Sequence, residues 1–163
     1  MTTHTAQPLP PTALKELRSA DDAGRVPVPF TDDEGGAPLR CCLRRSRPGE
    51  SIALVSYAPL RRWAAATGAD PGAYDEQGPV FVHAADCPGP ADGTGLPFTN
   101  APRVVRRYAA DGRILGGRLV TDPSPDAFEA AFAEAFADPA VALVHVRALE
   151  YGCFLYEVRR DIS

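Results

Sequence analysis

Lysine is almost missing from this chain: Lys15 stands alone among 17 basic residues, and the others are arginines. Positive charge is not in excess either, since the net charge is −4. That balance excludes wholesale binding of nucleic acid or of an anionic membrane. The arginine skew follows most simply from genomic base composition. Its chemical alternative is anion recognition, because a guanidinium pairs bidentately with carboxylate or phosphate. Long apolar runs are missing too, so no segment is expected to cross a bilayer. The opening Met1 to Pro11 has no basic region followed by an apolar stretch, unlike a secretory signal. The expected compartment is therefore the cytoplasm, where the four cysteines stay reduced. No Cys-x-x-Cys pair occurs, which removes the strongest signature of structural zinc and of thioredoxin-like exchange. P-loop, Rossmann, H-E-x-x-H, G-x-S-x-G and paired-carboxylate motifs are absent. Nothing in the sequence calls for a cofactor.

At 163 residues, 45% of them hydrophobic and 23% charged, the chain suits one domain that buries its own core. Residues 1–11, rich in Pro and Thr, read as a disordered tail, and residues 12–163 as a single domain. Leu14, Leu17 and Ala20 fall at helical spacing over Thr12 to Ala20. Asp21 to Pro38 is dense in Pro, Gly and Asp and reads as loop, with Val26, Val28 and Phe30 able to form an edge segment. Leu39 to Leu43 reads as a short strand, Ser51 to Tyr57 and Val80 to Ala84 as two more, and Arg61 to Thr67 as a short helix. Cys87 to Ala101 is a long loop of the kind that is often functional or mobile.

Arg103 to Tyr108 and Arg113 to Thr121 flank Asp111-Gly112, a hairpin signal. Ser124, Pro125 and Asp126 then supply an N-cap, a first-turn proline and a first-turn acid. The helix they start runs to about Ala137 and aligns Phe128, Phe132 and Phe136 as a core stripe. Asp138-Pro139 stops it. Val141 to Arg147 and Cys153 to Arg160 form a second hairpin. The fold class expected is α+β: a mixed, mostly antiparallel sheet of about six to seven strands with the 125–137 helix packed on one face.

The chemistry-bearing residues sit at the ends of short apolar runs. His83 closes Pro79-Val80-Phe81-Val82 and is followed by Cys87; His145 closes Val141-Ala142-Leu143-Val144 and is followed by Cys153. Cys41-Cys42 is a third thiol site. Imidazole and thiol carry most side-chain chemistry near neutral pH. Strand alternation puts Phe81 and His83 on one face and Val80 and Val82 on the other. A loop of odd length would put His145 and Cys153 on one face, as a buried core pair or as an activated Cys–His couple. His83, Cys87, His145 and Cys153, with Cys42 as a further donor, offer the atoms zinc prefers, but without its tight paired spacing. The sequence alone therefore assigns no metal ligands.

Arg40 and Arg107 lie inside strand readings, where a charge needs a partner. That partner is an acidic small molecule or a carboxylate such as Asp75, Glu76 or Asp86. Gly116-Gly117 reads as a bulge or bend rather than a phosphate cradle. Two functional classes follow. One is a small cytoplasmic enzyme acting on an anionic metabolite, with His83 and His145 moving protons, Cys153 or Cys87 as nucleophile, and Arg40 and Arg107 holding a carboxylate. The other is a non-enzymatic binding or interaction module with structural His and Cys. Zinc binding is a third, lesser reading.

Taken in order, Arg40-Cys41-Cys42-Leu43, Gly78 to His83 with Cys87, and His145-Val146 leading to Gly152-Cys153-Phe154 resemble the bacterial domain of unknown function 1203 family. Pro48-Gly49-Glu50, Ser56-Tyr57-Ala58-Pro59, Tyr108 to Gly112 and Ala137-Asp138-Pro139 extend the likeness over roughly Pro38 to Arg160. One departure is that members often carry an Asn shortly after the last His, where this chain has Val146-Arg147-Ala148. The resemblance implies a fold and a compartment, and it implies no reaction.

Overall fold

The computed structural model describes residues 4–93 and 95–160; residues 1–3 of the expected tail, residue 94 of the long loop and residues 161–163 lie outside it. The described residues form an α+β fold whose seven strands are all paired antiparallel, in one sheet of three and another of four. The α+β class and the antiparallel pairing agree with the sequence reading, while the strands are shared between two sheets. None of the described helices is long and apolar enough to cross a membrane. The chain divides into two compact units: Pro8–Ala58 with Gln77–Thr94, and Met1–Gln7 with Pro59–Glu76 and Gly95–Ser163.

The first unit holds α1 (Pro11–Ser19), β1 (Phe30–Asp32), β2 (Glu50–Tyr57) and β3 (Gly78–His83). Pro11 starts α1 where a missing N–H costs nothing, and Ala13, Leu14 and Leu17 form its buried stripe. The Pro-rich start has contacts of its own, since Leu9 is buried and its amide donates to the Arg40 carbonyl. After α1, Asp21 accepts from the amides of Ala23 and Arg25 with one oxygen and from Ser56 with the other, which ties the loop to β2. β2 lies between β1 and β3, with Ile52 opposite both Phe30 and His83. Val80 and Val82 are buried and Phe81 and His83 half-buried, as the alternation requires.

Leu39 to Leu43 is not the strand its apolar pattern predicts. The segment closes on itself as a turn, with the Leu39 amide donating to Arg44 and the Leu43 amide to Leu39. Leu43 takes a φ of 58°, a left-handed conformation that disfavours a side chain and cannot continue a strand. The turn is anchored instead by a parallel bridge between Leu39 and Phe81 and by the Arg40 amide donating to the Phe81 carbonyl at 2.9 Å. Long-range pairing to β3 thus overrides local strand propensity.

The second unit holds α2 (Pro59–Thr67), β4 (Arg103–Ala109), β5 (Ile114–Val120), α3 (Pro125–Ala137), β6 (Val141–Ala148) and β7 (Phe154–Arg159). Its sheet has the order β5-β4-β6-β7. Ser124 caps α3 as its sequence predicts, accepting from the Ala127 amide at 3.1 Å. Phe128, Ala131, Phe132 and Ala135 are buried where α3 packs on β4, β5 and β6. Phe136 is half-buried and stacks on His4. Strand alternation sends Tyr108 and Leu143 to the opposite face, where they pack with Leu60 and Trp63 of α2.

Candidate metal centre

The Leu39–Arg44 turn delivers two adjacent thiols to the end of β3. Cys41 Sγ and Cys42 Sγ lie 3.9 Å apart, and His83 Nδ1 lies 3.4 Å from the first and 3.8 Å from the second. Cys87, four residues beyond His83, completes a group whose four donor atoms all fall within 4.8 Å of one another. A tetrahedral zinc with Zn–S bonds of about 2.3 Å and a Zn–N bond near 2.0–2.1 Å has S···S edges of about 3.8 Å and S···N edges of about 3.6 Å. The three measured separations match those edges. No disulfide joins any of the four cysteines.

The surrounding groups orient the donors. His83 Nε2 meets Glu50 Oε2 at 2.8 Å. Arg44 grips both Glu50 oxygens at 2.9 Å, and the Arg47 amide adds a third donor. The Arg44 hydrogen bonds come first among the causes that hold the Glu50 carboxyl far below the usual carboxylate range. An ionised Glu50 must accept, so Nε2 carries a proton, and the neutral form of the imidazole then turns an Nδ1 lone pair toward the sulfurs. A carboxylate behind a histidine is the standard support of a metal-bound imidazole. The Arg18 guanidinium fixes the end of β3 from outside by donating to the carbonyls of His83 and Ala85.

The thiols are unequal. The hydrogen bond from Cys41 is the chief reason that the Cys42 thiol is pulled down to about 6; burial opposes it, and the Arg44 amide and the His83 and Arg44 charges assist. The same bond, with burial, pushes the Cys41 thiol up, although the His83 amide donates to its sulfur at 3.3 Å. The buried pair thus favours one thiolate, the form that binds metal.

The residues singled out from the sequence divide between the two units. His83 and Cys87 belong to the cluster, joined by Cys42, which the sequence reading offered only as a further zinc donor, and by Cys41, which it named only as part of a third thiol site. The signal for those two was adjacency to a turn that local pattern reads as a strand. His145 and Cys153 lie in the other unit, as two separate features. His145 is opposite Glu157 on β7 and meets it at 3.0 Å through Nε2, enclosed by the rings of Tyr108 and Phe154. The Cys153 thiol faces the Tyr151 carbonyl at 3.7 Å. Arg40 is 2% exposed and donates to the Pro38 carbonyl. Asp75 and Glu76, considered as partners for Arg40 and Arg107, serve others: Asp75 binds Arg61, and Glu76 binds Arg106 and Arg147.

Fold and cluster together define an α+β protein with a Cys₃His donor set. Comparison with known families places it further: residues 36–160 match the family described as "Protein of unknown function (DUF1203)". The chain belongs to that family. No curated protein and no solved structure matches it.

Proposed function

We propose that the protein is a zinc-binding protein, with Cys41, Cys42, His83 Nδ1 and Cys87 as the ligands of one tetrahedral centre. The observation that carries this reading is the agreement of the three separations among Cys41, Cys42 and His83 with zinc-tetrahedron edges, with Cys87 within 4.8 Å of each and Glu50 on the far side of the imidazole. Sulfur and imidazole donors in that geometry select zinc over harder cations. Four protein donors fill the coordination shell, which makes the centre structural: it clamps the Leu39–Arg44 turn to the end of β3 and to the loop that follows. Reduced thiols are a condition of such a centre and suit the expected cytoplasm.

Elemental analysis of purified protein tests the assignment. About one zinc per chain is expected, falling well below half an equivalent in Cys42→Ser and in Cys87→Ser. Wild-type protein that stays free of zinc after refolding in its presence overturns it.

A second reading draws on the unequal thiols: a Cys42 thiolate beside His83 as the nucleophile of an enzyme acting on a small anionic molecule. It requires metal-free protein as isolated and one thiol that alkylates far faster than the other three at neutral pH. Zinc at stoichiometry removes it.

A further inference from the structure

A cleft of about 310 Å³ opens in the unit that contains α3. Val105, Arg107 and Arg118 form its floor on β4 and β5, and Ala131, Glu134 and Ala135 line it from α3. Small residues create the space. Two alanines face the sheet from the helix, and Gly116-Gly117 lies where β5 passes Arg107 and Arg106. Gly116 has a φ of +142°, and a Cβ there would stand 2.6 Å from Arg107 Nη2. The glycine thus leaves the place that the guanidinium occupies.

The two cations of the cleft differ. Arg118 is paired with Glu134. Arg107 has no ion-pair or hydrogen-bond partner for its guanidinium among the described residues, and its Nε is buried without one. Leaving the Nε–H of a charged guanidinium buried and unsatisfied is costly, and native structures seldom do it without a reason. A guanidinium is relieved best by a planar pair of oxygens.

We propose that this cleft is a binding site for a small molecule carrying a single carboxylate, held by Arg107, with its apolar body against Val105, Ala131 and Ala135. A carboxylate suits the cleft better than a phosphate, because the second negative charge of a phosphate would face Glu134. The site stands independently of the zinc reading, since none of its residues belongs to the metal cluster.

Calorimetric titration of the full-length protein at low ionic strength tests it, with acetate, pyruvate and benzoate as probes and inorganic phosphate as the contrast. At least one carboxylate should bind at or below about millimolar concentration. Arg107→Gln should weaken that binding about tenfold or more, the loss expected for a charge-assisted pair. Glu134→Gln should tighten it severalfold by removing the like charge. Ala131→Leu, which fills the cleft, should abolish it while zinc content stays unchanged. The proposal is overturned if no carboxylate binds, if phosphate binds more tightly than every carboxylate, or if Arg107→Gln binds as the wild type does. Should Arg107→Gln fail to fold, unchanged affinity in both Glu134→Gln and Ala131→Leu overturns it equally.

Discussion

His83 and His145 begin alike and end differently. Each meets a glutamate through Nε2, Glu50 at 2.8 Å and Glu157 at 3.0 Å, and each glutamate is steadied by an arginine, Arg44 or Arg159. The difference lies at the other ring nitrogen. His83 is half-buried and turns Nδ1 toward thiols. His145 is 1% exposed, packed between aromatic rings, and its Nδ1 meets no hydrogen-bond partner among the described residues. Burial keeps the His145 imidazole neutral, pushing its pKa below the ordinary value against the pull of Glu157. Burial alone would raise the Glu157 carboxyl, but the hydrogen bond from His145 and the charge of Arg159 outweigh it and hold the carboxyl low. A histidine–carboxylate pair is therefore not a function. What the second nitrogen meets decides whether the pair supports a metal or a core.

Removing each ring should separate the two roles most sharply. His83→Ala deletes a proposed ligand and should lower zinc affinity by a hundredfold or more, read by competition with a chromophoric chelator. His145→Ala should leave zinc content intact and cost about 3–5 kcal/mol of stability in urea denaturation, because it opens a cavity and takes one hydrogen-bond partner from the buried Glu157. Equal loss of zinc in both variants would break the distinction.

The glutamates should differ in the same sense with smaller effects. Glu50→Gln should weaken zinc binding about 10–100-fold while stoichiometry at saturation persists. Glu157→Gln should leave zinc affinity unchanged. If Glu50→Gln also has no effect, the support of His83 is steric rather than electrostatic.

The smallest effect is a pH dependence. A neutral imidazole with a lowered native pKa contributes fully above its unfolded value of about 6.5. As pH falls below that value toward the native pKa, the unfolded chain takes up a proton that the fold refuses, so stability declines by at most about 1.4 kcal/mol per unit. Glu157 adds to the decline below its unfolded value of about 4.3, as pH drops toward its own depressed native value. His145→Gln, compared with wild type from pH 7 to 5, should flatten the first part of that slope. Parallel curves would mean that His145 already titrates in the fold at its ordinary value.

Legibility tracked how local each signal was. The span of α3, its Ser124 cap, both hairpins of the four-stranded sheet and the alternating burial of β3 could be read because their causes lie within a few residues. Leu39 to Leu43 was misread because its conformation is set by Phe81, far along the chain, and by a left-handed Leu43 that no pattern announces. The Cys–His cluster was half legible. His83 and Cys87 stood out as a strand end and the loop after it, whereas Cys41 and Cys42 come within reach only once that turn docks. The expected tie between His145 and Cys153 rested on loop parity; the strand register instead gives His145 to Glu157.

The sequence by itself determined the α+β class, the positions of most strands and helices, the family, and the supply of thiol and imidazole donors. These follow from periodicity, caps, turn chemistry and composition, all local properties of the chain. Tertiary structure decided which donors belong together. Cys41 and His83 are 42 residues apart and lie 3.4 Å from each other through hydrogen bonds between a turn and a strand. It also decided how these arginines pair: Glu76 goes to Arg106 and Arg147 and Glu134 to Arg118, while the Arg107 Nε is buried without a partner among the described residues. Long-range pairing makes both choices, and spacing along the chain carries no trace of it.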